Sequence, residues 1–111
     1  MEFHYPAGDF FQNNPAILEK FTSHVRQEAV ARGATYMVDA YCGAGLFTLT
    51  AASLFEQVIG IEISEKSAYW ARKNAEINSI NNAQFIAGKV EHIFSGISLP
   101  GHKTAVVIDP P

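Results

Sequence analysis

Apolar residues along the chain follow two spacings that alternate. Leu18, Phe21, Val25 and Ala29 recur at the interval of one helix face, behind a capping Asn14 and Pro15 at the first helical position and ahead of Gly33 as a stop. This predicts an amphipathic helix within residues 14–33. The runs TYMVDAY (35–41), QVIGIE (57–62), AQFIAG (83–88) and TAVVID (104–109) are short and largely apolar, as strands buried on both faces are. Between the first two, LFTLTAASLF (46–55) predicts a helix despite its threonines, because a helix returns the chain to the next parallel strand. Ser64 is placed to cap a further helix, EKSAYWARKNAEINS (65–79), whose Ala68, Ala71 and Ala75 allow close approach to a sheet. The stretch SGISLPGHK (95–103) reads as a surface loop.

Regular strand and helix alternation predicts an α/β fold with a doubly wound, mostly parallel sheet and right-handed crossovers. No internal repeat or low-complexity linker divides the 111 residues, which form one domain or part of one. With 48% hydrophobic residues the chain can bury a core, and no apolar run reaches the ~20 residues of a membrane span. The start MEFHYPAGDFF lacks the pattern of a secretory signal, so an intracellular, cytoplasmic setting is expected. A net charge of -3 provides no overall field for holding a polyanion. The single cysteine excludes an internal disulfide, and His4, His24, His92 and His102 lack metal-ligand spacing, so no metal is expected.

Ligands of such sheets sit beyond the carboxyl ends of the strands. There the first strand leads into Tyr41-Cys42-Gly43-Ala44-Gly45, the second ends in Glu62, the third in Gly88-Lys89 and the fourth in Asp109-Pro110-Pro111. Gly43 and Gly45 let backbone approach a ligand, but Thr48 stands where the dinucleotide fingerprint has its third glycine, which weakens a nicotinamide reading. Glu62 is placed to accept the hydroxyls of a ribose, in an adenosine cofactor or in NAD. For the glycines alone, an ordinary strand-to-helix turn is the competing account.

The segments GDFFQNN, VDAYCGAGLFTL, GIEIS, ARKNAEIN, FIAG and VVIDPP, in this order and spacing, resemble the RNA uracil-5-methyltransferases, class I S-adenosylmethionine-dependent enzymes that form 5-methyluridine in tRNA and in large-subunit rRNA. The resemblance covers nearly the whole chain. It implies a Rossmann-like class I methyltransferase sheet, truncated after its fourth strand, with residues 1–111 forming part of the S-adenosylmethionine-binding domain. By position it implies Gln12, Tyr41, Glu62 and Asp109 as principal cofactor contacts, with the backbone of Gly43 and Gly45 near the methionine end. Lys89 stands where many class I enzymes carry an acid for the adenine amino group, and Leu46 where some relatives carry a polar residue. Lys89 reads as a solvated charge at a helix start.

Methylation at carbon-5 of uracil requires a thiolate that adds at carbon-6 and a base that removes the carbon-5 proton. In the family both lie well downstream of Asp-Pro-Pro, beyond Pro111, so no catalytic residue is expected within this chain. Cys42 reads as a small loop residue facing the methionine end of the cofactor. The implied partner is RNA, tRNA ahead of rRNA. An amino-group methyltransferase of the Asp-Pro-Pro-aromatic type and a non-catalytic cofactor-binding remnant are the alternative readings.

Overall fold

A computed structural model of the chain describes residues 20, 23–28, 31, 33–97, 99 and 103–108. Its centre is a four-stranded parallel sheet of β1 (Tyr36–Ala40), β2 (Gln57–Glu62), β3 (Ala83–Ala87) and β4 (Thr104–Ile108), in the order β3-β2-β1-β4. The chain winds outward from β1 to β3 and then returns to the far side of β1. That return puts a topological switch point between β1 and β4, where ligands of open α/β sheets bind.

Strands β1 and β2 are apolar almost without interruption because both faces are covered. On one face Met37 and Val58 pack with Val25, from the helical residues 23–28 (α1), and with Ala51, Ala52 and Phe55. On the other face Val38, Ile59 and Ile61 meet Ile86, Val90, Ile93, Ile97 and Leu99. Helix α3 (Glu65–Ile77) lies on the first face, where Ala71 and Ala75 close on Phe85 of β3 and on Leu49. Its amino end is capped as expected, with the Ser67 N–H donating to Ser64 Oγ at 3.2 Å.

The helix expected over 46–55 is shorter. Helix α2 spans Leu46–Ala51 and tightens into a 3₁₀ turn at Ala52–Leu54, after which Phe55 turns extended and buries its ring with Ala51 and Ala52. Helix α3 ends at Ile77, ahead of the expected Ser79, which instead takes a left-handed conformation at φ 55°. The β3 to β4 crossover holds one turn of helix, α4 (Val90–Ile93), and a 3₁₀ turn at Phe94–Gly96. Lys89 is exposed at the start of α4, in keeping with a solvated charge. The segment read as a surface loop is partly core, since Ile97 and Leu99 pack against the sheet.

Candidate functional site

Beyond β1 the chain turns through left-handed backbone, with φ of 70° at Tyr41, 57° at Gly43 and 90° at Gly45. A tyrosine at positive φ is strained, and such strain persists where surrounding contacts over-determine it. Here the Tyr41 and Cys42 N–H groups both donate to the Ile61 carbonyl, at 2.8 and 3.0 Å. The Gly43 N–H donates to Glu62 Oε1 at 3.0 Å, and the Ser64 N–H to Glu62 Oε2 at 2.8 Å. The half-buried carboxylate therefore sits between the β1 loop and the start of α3, each oxygen taking one backbone donor. Each oxygen keeps capacity for a further donor.

Two large side chains lie in the sequence next to this centre: Ile63 is 63% exposed and Tyr41 38%. Ile63 was not singled out from the sequence, although an isoleucine directly after a strand-end acid was the available signal. The two loop glycines have different surroundings. A Cβ on Gly43 would meet nothing within 4 Å, whereas one on Gly45 would lie 3.1 Å from Ala71 Cβ and 3.1 Å from Phe85 Cζ. Gly43 is thus free for close approach from outside, and Gly45 seats the loop on α3 and β3.

Cys42 corrects one expectation. Its thiol, expected to face the methionine end of the cofactor, packs instead with Leu49, Ala71, Ala75 and Phe85, and would lie 2.8 Å from a Cβ on Gly60. Burial, and then the charges of Asp39 and Glu62, push its pKa far above the usual thiol range. A thiol held protonated is a poor nucleophile, which agrees with a packing role.

Beneath the loop lie polar groups that the sequence reading missed. Thr48 Oγ1 donates to Asp39 Oδ2 at 2.6 Å, with both residues buried. From α3, the fully buried Asn74 donates through Nδ2 to the Ala44 carbonyl at 3.1 Å. The available signals were an acid inside an apolar strand and an amide on an alanine face.

Of the expected site residues, the structure brings Tyr41, Gly43, Gly45 and Glu62 together at the carboxyl ends of β1 and β2. Gln12 and Asp109 lie outside the described residues. The last residue of β4, Ile108, is in register with Ala40, the last of β1. A polar depression of about 430 Å³ lined by Gln57, Asn82 and Gln84 opens at the amino ends of β2 and β3, away from this site. Among the described residues no cluster of His, Cys, Asp and Glu could hold a metal, and no helix is long and apolar enough to cross a membrane.

A doubly wound parallel sheet with a glycine turn after β1 and an acid closing β2 belongs to the class of open α/β domains, whose ligands sit beyond the carboxyl ends of the strands. More narrowly, the chain belongs to the tRNA (uracil-5-)-methyltransferase family, whose profile matches residues 1–98. It is 49% identical to the tRNA (uracil(54)-C(5))-methyltransferase of Schizosaccharomyces pombe, over 100% of this chain and 22% of that protein. It is 44% identical to the Saccharomyces cerevisiae protein of the same name, over 98% of this chain and 18% of the relative. Among solved structures, the Pyrococcus abyssi tRNA (uracil-54, C5)-methyltransferase in complex with S-adenosyl-L-homocysteine superposes with a TM-score of 0.70 at 29% identity, covering 94% of this chain and 24% of the other. The chain thus spans about a fifth of the length of these curated relatives.

Proposed function

We propose that this chain is the S-adenosylmethionine-binding part of an RNA methyltransferase that forms 5-methyluridine in tRNA. The observation that carries the reading is the Glu62 carboxylate, tied to Gly43 and Ser64 at the carboxyl edge of the sheet with acceptor capacity to spare. Ribose presents two adjacent hydroxyls, and a carboxylate fixed by backbone donors meets them without reorganising. Tyr41 and Ile63 supply apolar surface for the adenosine, and Gly43 lets its backbone approach the amino-acid end. Gln12 and Asp109 complete the set by the family resemblance. When bound, S-adenosylmethionine supplies a methyl group activated by the adjacent sulfonium.

The residues of this chain bind and orient that donor. The thiolate and base that the uracil chemistry needs come from parts of the protein outside residues 1–111, since the half-buried Cys42 thiol packs against Leu49, Ala71, Ala75 and Phe85 and has its pKa pushed up. The names of the yeast relatives and of the Pyrococcus protein support tRNA ahead of rRNA, and a tRNA substrate implies work inside the cell, with the cytoplasm the compartment proposed. No observation favours the amino-group alternative.

Calorimetric titration of the intact protein with S-adenosyl-L-homocysteine tests the reading. Glu62→Ala is expected to weaken binding by about 1 to 3 kcal/mol, the scale of hydrogen bonds to a charged group. Unchanged affinity in the variant would remove Glu62 from the ribose site.

A further inference from the structure

The buried face of α3 is Ser67, Ala68, Ala71, Asn74 and Ala75. An asparagine in the middle of a helix is a weak helix former, and its amide loses its hydration when fully buried. Asn74 is 0% exposed, and its Nδ2 reaches 30 residues back along the chain to the Ala44 carbonyl. The N–H of the same peptide unit, that of Gly45, donates to the Cys42 carbonyl at 3.0 Å. Both polar ends of the Ala44–Gly45 peptide are therefore held, between two glycines of positive φ that would otherwise leave it free to flip. The same helix also grips β3, where Arg72 donates through Nε and Nη2 to the Phe85 carbonyl at 3.2 and 2.9 Å.

We propose that Asn74 is a positioning residue for cofactor binding: from beneath the loop it fixes the direction of the Ala44–Gly45 peptide and so the shape of the backbone offered to the ligand. The inference rests on the cofactor reading above. Asn74 is fully buried, so it acts on the ligand through the groups it holds, the Ala44 carbonyl first among them.

A matched comparison exists within the fold. Asn82 Nδ2 donates to the carbonyls of Ala52 and Phe55, at 2.9 and 3.0 Å, and also joins segments 30 and 27 residues apart, but at the amino ends of the strands. Removing either amide lowers stability. Only the loss of Asn74 is expected to alter the ligand site.

The test compares wild type, Asn74→Ala and Asn82→Ala in the intact protein, with melting temperature and the Kd for S-adenosyl-L-homocysteine read well below the melting point. Asn74→Ala is expected to raise Kd at least about tenfold, which is about 1.4 kcal/mol. Asn82→Ala is expected to lower the melting temperature and leave Kd within twofold of wild type. If Asn74→Ala does not fold, Asn74→Ser, which keeps a shorter donor, is read the same way and must also raise Kd. A Kd within twofold of wild type in the folded Asn74 variant overturns the proposal alone. A wild-type protein that binds neither S-adenosylmethionine nor S-adenosyl-L-homocysteine overturns the cofactor reading and this proposal with it.

Discussion

Replacing Gly60 by alanine puts a methyl group where the fold leaves no room for one. Gly60 lies inside β2, paired with Asp39 on one side and Phe85 on the other. A Cβ there would stand 2.7 Å from Phe85 Cδ1, 2.8 Å from Phe85 Cε1 and 2.8 Å from Cys42 Sγ. The ring has little freedom to yield: Phe85 is 5% exposed and packs with Leu49, Ala71 and Ala75. Overpacking of this kind costs about 1 to 3 kcal/mol, more than the 0.5 to 1 kcal/mol that alanine would ordinarily gain over glycine in a strand. Trimming the sulfur by Cys42→Ala should cost about 1 kcal/mol alone, the scale of one buried methylene-sized group. It also vacates part of the space the new methyl needs, so the double variant should be less destabilised than the sum of the singles by about 0.5 kcal/mol or more. Denaturant unfolding of the intact protein, followed by circular dichroism, gives all four corners of the cycle. A Gly60→Ala protein as stable as wild type, or strictly additive costs, would refute the placement of the thiol against β2.

On the proposed function, Cys42→Ala should retain substantial methyl transfer in the intact protein, and loss of a covalent adduct with 5-fluorouridine RNA at unchanged cofactor affinity would count against its packing role. The folded state keeps this thiol protonated, while the unfolded chain releases the proton near pH 8.5 (roughly the free-cysteine value); stability is therefore full below that pH and falls as pH rises past it, a slope that Cys42→Ala should abolish in pH-dependent unfolding. Thr48→Val removes a hydrogen bond to the buried Asp39 carboxylate and should cost about 1.5 to 3 kcal/mol in denaturant unfolding; a neutral result would mean that the bond is not formed. The isolated 111-residue segment, incubated with labelled cofactor and unmodified tRNA, should yield no labelled 5-methyluridine on digestion, and turnover by it would show that the nucleophile lies within these residues.

The sheet was legible because strands covered on both faces are written as largely apolar runs, Val58–Ile61 and, apart from Asp39, Met37–Ala40 being the clearest. The Ser64 cap was equally plain, since it depends on one residue and the local backbone. What escaped depends on contacts between distant segments. The early end of α2 follows from Phe55 burying against the core, although the spacing of Ala51, Ala52 and Phe55 suits a continuing helix. A single turn such as α4 is too short to show a period. Ile97 and Leu99 were masked by the glycine, serine and proline around them. At the site, the place of Glu62 was readable but its two backbone partners were not. The inward turn of Cys42 follows a left-handed Tyr41 that no alternation rule anticipates.

The bonds that shape the β1 loop have a direction in time. Its partners outside the loop itself come later in the chain: the Ile61 carbonyl, the Glu62 carboxylate 19 residues after Gly43, and the Asn74 amide 30 residues after Ala44. As the polypeptide emerges from the ribosome amino end first, the glycine turn is complete as sequence long before anything can hold its shape. Its geometry sets only once β2 has paired with β1 and α3 has folded back across them. A nascent chain halted near residue 60 would carry every glycine of the loop and, beyond the internal bond from Gly45 to Cys42, none of the clasps that close it.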